Sequence, residues 1–348
     1  MYDINQVCRV ALDLDASDIH ITAASPPVFR IRSELRIAKI EALSGSEIRK
    51  VIYGLLTKEQ ILEFEERKGL EFTLLIDDKH RFRANAYMQR GHMSVALRPI
   101  AGQVPGITEL GLPPVLKKLA LAPAGLVLIT GPTGHGKSTT QAAMTGYINT
   151  EKRCHIITIE DPIEFLHQND KSIIEQREVG MDVPSFHEAL RTILRQDPDV
   201  VMVGEMRDLE TIESTLRAAE TGHLVIANLH ANDAVGSIER LLHFVPGAQQ
   251  GPVRVQLSLT LNAVIGQRLL PRQNGTGRVP AVEILVANDA VRHLIRDNKV
   301  HQIYTVMQTG SKEGTITLDM AVRNLYRAGI VTFDIAKNFV KNPSAMKQ

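Results

Sequence analysis

The chain has 348 residues, 40 basic against 39 acidic, with 44% hydrophobic and 23% charged side chains. That length suits two domains, each burying its own core, and the composition excludes disordered and fibrous classes. Basic and acidic residues balance on both sides of residue 112, so nucleic acid is not expected as the main partner.

Two cysteines, Cys8 and Cys154, build neither a disulfide framework nor a four-cysteine zinc site, and both are expected reduced and mostly buried. The amino-terminal stretch carries Asp3, Asp13 and Asp15 and lacks the basic start of a secretory signal. No segment has the roughly 18 uninterrupted apolar residues of a membrane span; Leu119–Thr130 is broken by Pro123 and Gly125. A cytoplasmic protein without a transmembrane segment is expected.

Residues 1–98 read as a small α+β domain. Val28–Ile40 is predicted as two short strands joined near Ser33 and Glu34, and Ser46–Arg67 has helical apolar spacing. From Arg81 to Met88 the pattern alternates: Arg81, Arg83, Asn85 and Tyr87 on one face, Phe82, Ala84, Ala86 and Met88 on the other. That is the period of a half-buried strand. Residues 99–114 hold Pro99, Gly102, Pro105, Gly106, Gly111, Pro113 and Pro114, a density of chain breakers that marks an interdomain linker.

Residues 115–348 then alternate strands with helices. Strands are predicted at Leu126–Thr130, Ile156–Ile159, Val200–Val203 and Leu224–Leu229. A helix should start at Lys137. Another should follow Ser185, with a reciprocal capping box to Glu188, an apolar stripe of Phe186, Ala189, Leu190, Ile193 and Leu194, and a stop at Pro198. Asp208 is expected to cap a helix ending at Gly222. Such alternation implies an α/β fold with a covered, largely parallel sheet.

Gly131-Pro-Thr-Gly-His-Gly-Lys-Ser138 follows an apolar strand and opens a helix, the context required of a phosphate-binding loop. Its glycines let backbone N–H groups curl around phosphate. The expected nucleotide-binding residues are Gly131, Thr133, Gly134, His135, Gly136, Lys137, Ser138 and Thr139. Lys137 would reach the β- and γ-phosphates of ATP, and Ser138 would ligate Mg²⁺. The run Asp199-Val-Val-Met-Val-Gly-Glu205 resembles a Walker B strand, with Glu205 just past its apolar residues and beside the expected place of Mg²⁺ and the attacking water. Glu160, Asp161 and Glu164 end another strand, where an acid can polarise water. His223 and His230 bracket a fourth strand without the spacing of a helical metal pair.

Four motifs stand in one order: the phosphate loop, Glu160-Asp-Pro-Ile-Glu164, Val203-Gly-Glu-Met-Arg-Asp208, and Thr221 through His230. Together they resemble the secretion-type ATPases of type II secretion and type IV pili. Ser17-Asp-Ile-His20 and Gln308-Thr-Gly through Thr317-Leu-Asp319 point more narrowly to PilT-like retraction ATPases. The resemblance implies a PAS-like N-terminal domain joined to a RecA-like P-loop ATPase domain, assembled as a ring hexamer. It implies Glu164 as the glutamate that activates water, Glu205 as the Walker B acid serving Mg²⁺ directly or through water, and His230 as the histidine-box residue. Arg81, Arg83 and Arg98 match arginines that approach nucleotide across a subunit interface.

The implied activity is Mg²⁺-ATP hydrolysis powering type IV pilus retraction at the cytoplasmic face of the inner membrane. An inner-membrane platform protein, and a paralogous retraction ATPase, are the implied partners. Extension ATPases of this kind carry an extra N-terminal domain and a four-cysteine module, for which this chain has neither the length nor the cysteines. His135 departs from the usual small residue, and Ala290-Val-Arg-His-Leu-Ile-Arg-Asp297 departs from the family's Ala-Ile-Arg-Asn-Leu-Ile-Arg-Glu. The alternatives are an accessory PilU-like ATPase, a non-catalytic nucleotide-gated scaffold, and, more weakly, a DNA-translocating conjugation ATPase.

Overall fold

The structure is a computed structural model that describes residues 3–32, 34–77, 80–100, 102, 104–310 and 314–341. The chain divides into two compact units. One reaches residue 102 and also includes residues 164–166; the other holds the remainder.

The first unit is built on six strands: β1 (Asp18–Thr22), β2 (Val28–Ile31), β3 (Glu34–Ile37), β4 (Gly69–Leu75), β5 (Arg81–Gln89) and β6 (His92–Pro99). They form one antiparallel sheet in the order β3-β2-β1-β6-β5-β4. Phe82, Ala84 and Ala86 of β5 are buried while Arg83, Asn85 and Tyr87 stay exposed, as the period-two pattern requires, but Met88, expected on the buried face, is exposed near the strand's end. The apolar face packs with Ile4, Val7, Cys8, Ile48, Ile52 and Phe64 from three helices. The strands β2 and β3 fall inside Val28–Ile40, with the joining residue Ser33 outside the described residues.

One expectation changes here. The helical spacing of Ser46–Arg67 is divided between two helices, Gly45–Tyr53 and Lys58–Arg67. Thr57 restarts the chain with a full capping box: its hydroxyl accepts from the Gln60 N–H at 3.2 Å, and Gln60 Oε1 accepts from the Thr57 N–H at 2.9 Å. Local cap chemistry overrides a continuous apolar period.

The second unit carries seven strands: β7 (Gly125–Thr130), β8 (His155–Glu160), β9 (Ile173–Glu178), β10 (Val200–Val203), β11 (Leu224–Leu229), β12 (Leu261–Pro271) and β13 (Arg278–Val286). Their order is β13-β12-β7-β11-β10-β8-β9, and every pairing is parallel except β12 with β13. β7, β10 and β11 are buried along their whole length, which explains their unbroken apolar runs. One sheet face packs with helices 186–193, 209–220, 234–243 and 250–260; the other packs with helices 115–120 and 137–151. The fold is α/β with a mainly parallel sheet.

Ser185 and Asp208 cap their helices as expected, accepting from the N–H groups of Glu188 and Thr211. The reciprocal half of the Ser185 box is not formed, because the Glu188 carboxylate pairs with Arg191 at 3.4 Å instead. A smaller cluster joins Leu270, Val279 and Ala281 of the β12–β13 hairpin to Val322, Val331 and Ala336. Among the described residues no helix is long and apolar enough to cross a membrane.

Candidate nucleotide site

β7, β11 and β10 are adjacent and parallel, so their carboxyl ends open on the same edge of the sheet. The phosphate loop leaves β7, Glu205 lies two residues past β10, and His230 follows β11 directly. Ligands of open α/β sheets bind in such a crevice.

The loop itself is shaped for an anion. Gly131, Gly134 and Gly136 have φ of 144°, 76° and 81°, a region that side-chain-bearing residues rarely enter. The helix Lys137–Glu151 starts at Gly136 with no side chain capping its first N–H groups. An uncapped helix start attracts phosphate through those donors and the positive end of the helix dipole. The Lys137 ammonium donates to the Pro132 carbonyl at 3.0 Å. Behind the loop, buried Gln141 donates to the carbonyls of Val203 and Ile226 and accepts from Asn228, each at 2.8–2.9 Å, tying β10 to β11.

Glu205 is the centre of a charged cluster. His230 Nε2 lies 3.0 Å from one carboxylate oxygen, and Arg207 lies 2.8 Å from the other. Arg207 also reaches Asp161 at 3.2 Å, so it bridges the acidic box to Glu205. Its hydrogen bond to Glu205, then the charges of Glu205 and Asp161, raise the Arg207 pKa. Three of the sequence motifs thus converge on Glu205 and Arg207.

The acidic box separates into different roles. Glu160 is buried and accepts hydrogen bonds from Thr158 and Gln176, which fits it for structure. Glu164 is exposed on the loop after β8, and that loop is fixed where the Ile163 N–H donates to buried Glu178 at 3.2 Å. His223 sits at the opposite end of β11 from His230, and its Nδ1 lies 2.9 Å from the Ala218 carbonyl, closing the preceding helix.

The three N-terminal arginines share one face of the first unit's sheet. Arg83 and Arg98 are direct partners across β5 and β6, with Arg81 two residues along. Like charges placed opposite repel. Each is balanced by an acid, Arg83 by Glu71 at 2.8 Å and Arg98 by Asp18 at 2.7 Å. Arg81 keeps a buried Nε without a hydrogen-bond partner among the described residues.

A family model described as "Type II/IV secretion system protein" matches residues 1–334. The chain belongs to that family. Among members of the type II/IV secretion system family, the type IV pilus retraction ATPase PilT of Pseudomonas aeruginosa is 42% identical over 98% of this chain and 99% of its own. The type IV pilus ATPase PilU of the same organism is 40% identical over 96% of this chain and 87% of its own. A crystal structure of the pilus retraction motor PilT with bound ADP superposes with a TM-score of 0.91, at 44% identity, covering 100% of this chain and 99% of that one. The ATPase DotB of Legionella pneumophila has a TM-score of 0.86 at 26% identity, covering 96% and 94%.

Several residues of the site carry no sequence motif. Gln267 and Arg278 touch the phosphate loop from 132 and 144 residues away. The signal that marks their elements is the largely apolar pattern of Leu261–Pro271 and Arg278–Val286. Arg207 lies inside the motif Val203–Asp208, where spacing does not mark an arginine that pairs with both Glu205 and Asp161.

Proposed function

We propose that this protein is a Mg²⁺-dependent ATPase that powers retraction of a type IV pilus as a ring hexamer. The observation that carries the reading is the uncapped, glycine-shaped helix start at Lys137 beside the Glu205–His230 pair. Its family membership, and the ADP bound to a PilT structure of the same fold, support it. Backbone N–H groups of residues 133–139 hold the β- and γ-phosphates, and Lys137 leaves the Pro132 carbonyl to meet them. Ser138, and Glu205 through water, would hold Mg²⁺, which neutralises charge on the phosphates. Glu164 takes the proton of the attacking water, and His230 orients Glu205. Arg81, Arg83 and Arg98 supply charge to a neighbouring subunit's nucleotide. Residues 1–98 act as the PAS-like domain, 99–114 as the linker and 115–348 as the motor, working at the cytoplasmic face of the inner membrane on a platform protein.

Glu164→Gln keeps shape and loses basicity. ATP should bind normally while turnover falls about 10²–10⁴-fold, the span for losing a general base. An unchanged rate moves the role to another acid.

The near-equal identity to PilU gives an accessory ATPase as a second reading. A deletion strain scored for surface pili and twitching tests both. Excess pili with lost motility support retraction, and loss of pili overturns it. Retraction by this protein in cells lacking every related ATPase separates the main motor from the accessory one.

A further inference from the structure

A phosphate loop binds by turning its N–H groups inward, so its carbonyls must turn outward and find donors elsewhere. Here those donors come from the β12–β13 hairpin. Arg278 of β13 donates to the Gly134 carbonyl at 3.0 Å. Gln267 of β12 donates through Nε2 to the His135 carbonyl at 2.8 Å, while its Oε1 accepts from the Thr140 hydroxyl at 2.7 Å. A third bond runs from hairpin to loop as well: the Leu269 N–H donates to His135 Nδ1 at 2.8 Å. That bond leaves the ring proton on Nε2. The contact is also tight, since a Cβ on Gly131 would lie 2.4 Å from the Gln267 carbonyl oxygen, and one on Gly136 2.8 Å from Gln267 Nε2.

We infer that Gln267 and Arg278 are positioning residues of the phosphate site. They fix the peptide planes at Gly134 and His135 so that the N–H groups on the other side of the loop converge on a β-phosphate. His135 adds a side-chain anchor that a small residue at this position lacks. The inference rests on the reading of the loop as a nucleotide site, and it assigns to the hairpin a part in nucleotide affinity separate from Lys137 and the acids.

Two variants test it on the full-length protein. Gln267→Leu keeps the approximate shape and removes both amide bonds; Arg278→Ala removes one exposed side chain, so folding is spared even if the buried change is not tolerated. The probe is a fluorescent ATP analogue with Mg²⁺, titrated for Kd, with KM and kcat measured beside it. A lost positioning bond should raise Kd and KM about tenfold, with kcat changing far less, because the cradle grips substrate and transition state alike. Arg278→Lys, which keeps one donor, should recover part of the affinity. Unchanged Kd and KM in folded Arg278→Ala and Gln267→Leu overturn the assignment, as does a fall in kcat alone. Failure of the underlying reading looks different: the unmodified protein would not bind the probe, or Lys137→Ala would bind it equally well.

Discussion

His135 stands where the loop chemistry asks only for backbone, yet its ring is engaged. Burial, then the charges of Arg268, Arg278 and Lys137, hold its pKa below the ordinary 6.5. The native chain therefore binds fewer protons at this site than the unfolded chain does. The stability this contributes is complete above pH 6.5 and is lost as pH falls through 6.5 toward the depressed native value. Protonating Nδ1 also removes the acceptor of the Leu269 N–H. Urea unfolding at pH 7.5 and 5.5 should show a larger loss for the unmodified protein than for His135→Ser. Parallel losses would place the pH dependence in other groups, of which half-buried His167, lowered to about 4 by desolvation, is common to both proteins. The sequence made the loop and the acid at 205 legible because each motif is contiguous. It hid Gln267 and Arg278, since a donor to a carbonyl leaves no pattern when the two residues meet only through sheet order. It also left Glu160 and Glu164 indistinct, because a strand end does not reveal which carboxylate is already taken by Thr158 and Gln176.

Elements were legible where burial was uniform or alternation strict. β7, β10 and β11 run apolar throughout, and β5 alternates; β9, with the burial of an edge strand, gave no comparable signal. The variant motif Ala290–Asp297 shows what an element's end adds. It overlaps the helix Asp289–Arg296, from which Arg292 donates to the carbonyls of Ser258 and Leu259 at 2.7 and 2.9 Å. Those carbonyls belong to the last turn of helix Gln250–Thr260, where the helix supplies no further N–H, and Leu261 already satisfies Leu257. One guanidinium therefore closes a neighbouring helix. Arg296, in contrast, is exposed. Arg292→Ala should cost about 1–3 kcal/mol, the range for a charged hydrogen-bond donor. Arg296→Ala should stay within about 0.5 kcal/mol. Chemical denaturation of both variants checks the contrast, and equal losses would deny Arg292 its capping role.

At the scale of the whole molecule, the proposed function gives the arginine face of the first unit a part in a site completed by a second chain. Arg83 and Arg98 are held opposite one another at an electrostatic cost, offset by Glu71 and Asp18, and Arg81 adds a third guanidinium on the same face. Two rows of a strand bring such groups within reach of one oligophosphate. An arginine acting on a neighbour's transferred phosphoryl stabilises charge that develops there and can contribute about 10³-fold or more in rate. Such a contribution exists only in an assembled ring. Arg83→Ala and Lys137→Ala should each be nearly inactive alone, the first lacking the donated charge and the second lacking the phosphate contact. Mixing Arg83→Ala subunits with excess Lys137→Ala subunits places an intact arginine beside an intact phosphate loop on a different chain. Mixed rings should then regain phosphate release in proportion to the Arg83→Ala subunits that are followed by a Lys137→Ala neighbour. If mixed hexamers form, shown by co-purification of two differently tagged chains, and no activity returns, Arg83 acts within its own subunit or only on the Glu71 carboxylate.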